Sequence, residues 1–257
     1  MRILDPYEQT QLARYGKSVH SVTNDTIPIE YVTGKAEFCG LSFTVSPDVL
    51  IPRIETEELV DLTLHDTVEL LATHTHTAHK QIKLVEVGTG SGAIAVTLAL
   101  QLGVYKKNIS VYATDISSAA IAIAQQNQTY LLSTQHCALQ FLQADLLDHF
   151  NLPSKIDILV ANLPYIPTAR IPTLAASVSD HEPHLALDGG IDGFAHIEHL
   201  LIQAAPRLTF QSKVLLEVDH THTQEFMRSK PTLLKLYTFE YLLDEYGQNR
   251  FLRVQKK

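Results

Sequence analysis

Residues Val85-Glu86-Val87-Gly88-Thr89-Gly90-Ser91-Gly92-Ala93-Ile94-Ala95 join an apolar strand, a turn with glycine at alternate positions, and the start of an apolar helix. Glycine lets the backbone turn tightly and lets a ligand lie against it with no Cβ in the way. The helix that follows offers unpaired N–H groups. Residues 88–93 satisfy the G-x-G-x-x-G/A dinucleotide fingerprint loosely, and the run by itself also fits an ordinary structural turn. Its surroundings set the fold class. Strand-like runs at 82–87, 109–114, 139–143, 156–161 and 213–218 alternate with helical spacing over 93–102, 117–128, 194–205 and 221–229. That alternation predicts an α/β fold with a doubly wound, mainly parallel sheet. Two further runs, 233–241 and 250–255, are joined by a link too short for a crossover helix, so the last strand pair of the seven is expected to be antiparallel.

Ahead of this region, 6–15 has the pattern of one short helix, and 28–52 alternates apolar and polar residues between glycines, which predicts a β-hairpin. Residues 57–71 show helical spacing with Thr56 as the expected N-cap. Three units follow: a short N-terminal segment over 1–27 with at most one helix, a linker hairpin and helix over 28–80, and the large α/β domain over 81–257. The chain has 28 acidic and 20 basic residues, a net charge of −8, and no basic run longer than a pair. Phosphate neutralisation needs clustered Lys and Arg, so direct nucleic-acid binding is not expected. No apolar run approaches the ~20 residues of a membrane helix, and the first residues lack a signal-peptide core, so a cytoplasmic protein is expected. Cys39 and Cys137 are expected to be reduced core thiols.

The polar chemistry gathers at strand ends. Asn162-Leu163-Pro164-Tyr165 closes the buried run 156–161 with an amide, a proline and an aromatic, a set suited to gripping a small planar group. Asp115 ends the second strand of the alternating region, where an acid can bind both ribose hydroxyls; its other role would be to cap the next helix. Asp145, followed by Leu146, ends the third, and is equally open to a structural role. Acids at both ends suit a nucleoside carrying no ribose phosphate. The glycine loop alone also admits NAD; the antiparallel closing pair and the strand-end tetrapeptide favour S-adenosylmethionine. The histidine groups 74, 76, 79 and 220, 222 lack the companions of a zinc site and are expected to be solvated; no metal is expected.

These residues resemble the HemK/PrmC class of release-factor glutamine methyltransferases. The resemblance runs from about residue 28 to the end, through Pro28-Ile29-Glu30-Tyr31, Leu50-Ile51-Pro52-Arg53, Glu55-Thr56-Glu57, the glycine loop, Asn162-Leu163-Pro164-Tyr165 and Ala186-Leu187-Asp188-Gly189-Gly190. It implies a Rossmann-like, seven-stranded methyltransferase sheet with an N-terminal hairpin. It also implies S-adenosylmethionine held by Glu86, Gly88, Thr89, Gly90, Ser91, Gly92, Asp115, Asp145, Leu146 and Asn162. The substrate it implies is the glutamine of a Gly-Gly-Gln motif in a class I peptide chain release factor. Other amino-group methyltransferases, acting on adenine N6 or a ribosomal-protein glutamine, share the tetrapeptide, and a non-catalytic scaffold is the alternative of another class.

The chain departs from the family pattern in three places. Leu163 stands where proline is usual, fewer than thirty residues precede the hairpin where a helical domain is usual, and Asp219 stands where glycine is usual, a change expected to affect only a loop. For transfer to an amide nitrogen, Asn162 Oδ1 is expected to accept one substrate N–H and the Leu163 carbonyl the other. Pro164 restrains Leu163 in the extended region. Tyr165 is expected to pack against the amide plane. Arg53 is a candidate for positioning the cofactor loop or the incoming peptide, and 166–193 a candidate substrate flap.

Overall fold

A computed structural model describes residues 3–73, 81–132 and 136–257 of the chain. The central layer is a seven-stranded sheet in the order β5-β4-β3-β6-β7-β9-β8. Its parallel strands are β3 (Ile82–Val87), β4 (Ile109–Asp115), β5 (Ala138–Gln143), β6 (Ile158–Ala161) and β7 (Lys213–Glu217). β8 (Tyr237–Leu243) and β9 (Asn249–Lys256) are antiparallel neighbours, and β9 pairs antiparallel with β7. Strand order reverses between β3 and β6, which lie side by side at the centre of the sheet.

Alternate residues of the central strands serve two cores, as the two-residue side-chain period requires. Ile158, Val160 and Leu215 face a core shared with α3 (Glu55–Thr73), α4 (Ala93–Gln101) and α5 (Ser118–Leu131). Leu159, Ala161, Val214 and Leu216 face one shared with α7 (Ala195–Ala204), which contributes Ile197, Leu200 and Leu201. Both faces of the sheet are covered, so its inner strands are continuously apolar. Glu217, at the end of β7, and Glu86, inside β3, are the conspicuous exceptions, and both are buried.

The N-terminal half departs from its expected pattern in three places. The hairpin is confined to β1 (Lys35–Phe38) and β2 (Leu41–Thr44), closed by Cys39 and Gly40, both at positive φ as a two-residue turn requires. Residues Ile29–Thr33, read with the hairpin, form a short helix, α2, ended by left-handed Gly34; Ile29 packs on Leu12 of α1 (Pro6–Arg14). Thr56 lies inside α3, which starts one residue earlier, so its hydroxyl is free for a tertiary role. Towards the C-terminus, 233–236 belongs to a short helix, α9 (Pro231–Leu236), because Pro231 fits the first turn and starts it. The expected helix over 221–229 shrinks to one turn, α8 (Gln224–Met227). Among the described residues no helix is long and apolar enough to cross a membrane.

One buried side chain docks the hairpin on the sheet. Asn127 of α5 accepts the Thr44 N–H at 2.7 Å and donates to the carbonyls of Thr44 and Ser91, each at 2.9 Å. The hairpin and the glycine loop are thereby held by a single amide. Replacing Asn127 with Ala strands three backbone groups in a dry interior. We expect Asn127→Ala to lose about 3 kcal/mol of stability, read as a lowered urea midpoint.

Candidate functional site

The register of β3 on β6 pairs Val87 with Ala161, so Gly88 and Asn162 leave the sheet side by side at its carboxyl edge. The two chains nearly touch there. A Cβ on Gly88 would stand 2.8 Å from Leu163 Cδ2, closer than carbon atoms tolerate. Gly92 has a related role, since a Cβ there would meet Ala124 Cβ of α5 at 3.0 Å. Gly90 differs: it is left-handed, with φ +53°, yet no atom lies within 4 Å of the place its Cβ would take. Its openness faces a cavity walled by the glycine loop, Asp115, Leu146, Asn162 and Pro164.

Acids dominate the polar part of that wall. Asp115 accepts the Gly90 N–H at 2.8 Å and the Ser117 N–H at 2.9 Å. The N-cap of α5 is Ser117, which accepts from Ala120, so Asp115 is not that cap. Glu86 accepts from Thr89 Oγ1 at 2.6 Å and from the Ala95 N–H at 3.1 Å. Burial, helped by the nearby Asp115 charge, outweighs those bonds and pushes Glu86 up to about 7. Burial also raises Asp115, against the bonds from Ser117 and Gly90. Asp145 is exposed on the rim. Leu146 has φ +53°, costly for a residue with a Cβ, and its carbonyl accepts from Thr114 Oγ1 at 2.9 Å.

Among the described lining residues, Arg53 alone is a Lys or Arg, and its guanidinium is spent on Glu182 at 2.6 Å. A cavity with a buried acid, a half-buried one, no free Lys or Arg among its described lining residues and an open glycine turn fits a cationic ligand that carries a nucleoside.

The strand-end residues divide in the structure. Asn162, Leu163 and Pro164 line the cavity. Tyr165, expected to pack on a substrate amide, is not among the residues of that wall. Its hydroxyl turns away and donates to Glu217 Oε1 at 3.1 Å. Leu163 is buried, its side chain in the core with Val87 and Leu142. Thr56 also lines the cavity, bonded to both Asn162 and Glu217. Neither residue was identified from sequence as part of the site; the available signal for Glu217 was a lone carboxylate ending an apolar strand.

The flap over 166–193 is tied down at several points. Ile166 bridges to Asp188, which accepts from Thr168 and from the Gly190 N–H. Asp219 reaches beyond its own loop: it pairs with Arg170 of the flap and accepts from Thr221. Burial raises the Asp219 pKa, but the bonds from Arg170 and Thr221 hold it down at about 2. His222 is buried too, contrary to its expected solvation. It accepts from the Asp219 N–H, donates to the Asp192 carbonyl and packs on Phe194 and Phe226. The histidines at 74, 76 and 79 lie outside the described residues.

Comparison with known proteins adds the decisive observation. The release factor glutamine methyltransferase of Moorella thermoacetica is 40% identical over 232 residues, covering 90% of this chain and 76% of that protein. The chain belongs to the release factor glutamine methyltransferase family. Its Bacillus cereus member is 34% identical over 227 residues, covering 88% of this chain and 75% of that one. A family model described as ribosomal protein L11 methyltransferase (PrmA) matches residues 63–192, which hold the glycine loop and the strand-end tetrapeptide but not the hairpin or the last three strands of the chain. Matches to release factor enzymes span far more of the chain. Among solved structures, a methyltransferase from Pyrococcus furiosus superposes with a TM-score of 0.54 at 14% identity, covering 98% of this chain and 99% of that one. The hMettl16 catalytic domain, solved with a MAT2A 3'UTR hairpin, gives 0.56 at 14%, covering 84% and 76%. At such identity these two show the shared fold alone.

With Glu86 in the cavity wall, binding of a cationic cofactor is expected to depend on pH. The folded-state pKa of Glu86 lies above the ordinary 4.5, so below about 7 it is mostly protonated and offers no charge to a cation. Binding a sulfonium and an ammonium favours the ionised form, so affinity falls as pH falls through 7. Between pH 8 and 6 the affinity for S-adenosylmethionine is expected to drop roughly tenfold. Calorimetry checks this, and Glu86→Gln should bind more weakly with a flatter profile.

Proposed function

We propose that this chain transfers a methyl group from S-adenosylmethionine to the side-chain amide nitrogen of the glutamine in the Gly-Gly-Gln motif of a class I peptide chain release factor, acting in the cytoplasm. The observation that carries this reading is the placement of Asn162 in the wall of the glycine-loop cavity, beside Gly88 across adjacent strands. Cofactor and substrate amide can then meet at one edge of the sheet. The family membership supports the same reaction.

An amide nitrogen is a weak nucleophile because its lone pair is delocalised into the carbonyl. S-adenosylmethionine supplies an electrophilic methyl, so the protein's task is alignment. Asn162 Oδ1 accepts one substrate N–H. The Leu163 carbonyl is the candidate acceptor for the other, held by Pro164, which restrains the backbone before it. A dry wall of Leu163, Pro164 and Leu146 favours loss of the sulfonium charge during transfer. Glu86, Asp115 and Asp145 are assigned to the cofactor. We assign Arg53 to holding the flap through Glu182 over the cavity. Tyr165 acts one step back from the substrate. The acidic charge supports a protein substrate without direct nucleic-acid contact.

The test is mass spectrometry of a release factor incubated with this protein and cofactor. A gain of one methyl on the Gly-Gly-Gln peptide is expected; an unmodified peptide overturns the reading, and label on adenine or a ribosomal protein would redirect it. Asn162→Ala is expected to abolish transfer while still binding S-adenosylmethionine, which rules out loss of fold as the cause. Leu163→Pro keeps the carbonyl and should retain most of the rate; a large loss would show that the leucine side chain itself is needed.

A further inference from the structure

The Asn162 amide has two ends of almost the same shape and opposite chemistry. Only Oδ1 can accept a substrate N–H; Nδ2 would oppose it with another donor. Something must decide which end faces the cavity. Asn162 Nδ2 lies 3.0 Å from Thr56 Oγ1. A threonine hydroxyl has one proton, and that of Thr56 points to Glu217 Oε2 at 2.8 Å. The other Glu217 oxygen accepts the Tyr165 hydroxyl at 3.1 Å. An ionised carboxylate only accepts. With Glu217 ionised, Thr56 has no proton left for Asn162 and can only accept from it. Nδ2 is therefore drawn to Thr56, and Oδ1 is turned out.

We propose that Glu217 is a positioning residue that sets the polarity of the Asn162 amide through Thr56, with Tyr165 fixing the carboxylate from its other side. The proposal rests on the glutamine-methylation reading only for what Asn162 receives; the orientation itself is a property of this chain. Its members come from the first turn of α3, the end of β6, the segment just after it and the end of β7, so no local motif contains it. Glu217 is 1% exposed. The charged and titratable groups facing it are Arg250 of β9, Glu55 of α3 and Tyr165. Burial raises its pKa; the bonds from Thr56 and Tyr165 and the Arg250 charge oppose this, and Glu55 adds to it. Once protonated, Glu217 can donate to Thr56. The Thr56 proton then becomes available to Asn162 Oδ1, and the amide turns over to present the wrong end. Methyl transfer should therefore carry an acid limb above the ordinary carboxylate range, set by Glu217 and separate from the effect of Glu86 on cofactor binding.

The experiment compares the full chain with Glu217→Gln, Thr56→Val and Thr56→Ser. For Glu217→Gln and Thr56→Val, kcat on a release factor is expected to fall roughly ten- to a hundredfold, the worth of one well-placed hydrogen bond. Their dissociation constant for S-adenosylmethionine should change far less than kcat, since Glu86, Asp115 and Asp145 are untouched. Thr56→Ser restores the hydroxyl and should recover most of the rate lost in Thr56→Val. Glu217→Gln should also lose the acid limb of kcat. Thr56→Val at the wild-type rate, or Thr56→Ser as slow as Thr56→Val, overturns the proposal. Should Glu217→Gln fail to fold, the Thr56 pair carries the comparison.

A substrate-free readout separates this proposal from the proposed reaction. In side-chain 15N NMR of the wild-type protein, the Asn162 NH2 protons should show contacts to the Thr56 methyl, with a resonance that titrates together with Glu217. No such contact, or no response to pH, overturns the proposal even if methylation is found. The contact present without methylation would sink only the reaction.

Discussion

The site depends on the hydrogen-bond register between β3 and β6. Val87 opposite Ala161 makes the glycine loop and Asn162 emerge together where strand order reverses. Parallel strands leave their loops on the same edge, and reversal of the order opens a crevice between loops that run off to opposite faces. The requirement for glycine at 88 follows from this, because Leu163 occupies the place a side chain would take. A register slip of one residue would turn every inward side chain of β6 outward and remove Asn162 from the cavity at the same time. Fold stability and site geometry are one constraint here.

Around that crevice the protein buries carboxylates at a cost. Glu86, Asp115 and Glu217 all have pKa values raised by burial. Hydrogen bonds from the glycine loop and α4 offset part of the cost for the first two; hydroxyls from Thr56 of α3 and from Tyr165 after β6 do so for the third. Acids left without a full charge partner favour a cation at the cavity, while Glu217, kept behind Thr56, shapes the substrate side. Ion pairs work differently at the flap. Arg53 with Glu182, Arg170 with Asp219, and Lys230 with Asp192 and Glu198 join it to the hairpin exit, to the loop after β7 and to α7. Asp219, in a place where the family pattern has glycine, is thus part of how this chain holds its flap.

Much of this was legible in the sequence because it is encoded locally. Glycine spacing, the apolar runs and the short link before the last strand each act over a few residues, and the sheet and its antiparallel end follow from them. The short helix over Ile29–Thr33 was not legible, since its alternating residues suit a half-buried strand and only packing on α1 selects the helix. Residues 233–236 were misread for a similar reason: their leucines fit either period, and Pro231 tips the choice. The histidine at 222 reads as a solvated polar residue until Phe194 and Phe226 enclose it.

The sequence alone determined the doubly wound architecture, the cofactor loop and the strand end that carries Asn162, because periodicity and turn chemistry act within a segment. Tertiary structure decided what each polar atom meets. Thr56 and Asn162 are 106 positions apart and Thr56 and Glu217 are 161 apart, yet they form one chain of hydrogen bonds. A hydroxyl donates or accepts according to its neighbours, and only folding supplies those neighbours; for that reason nothing local announced that the Tyr165 hydroxyl meets Glu217.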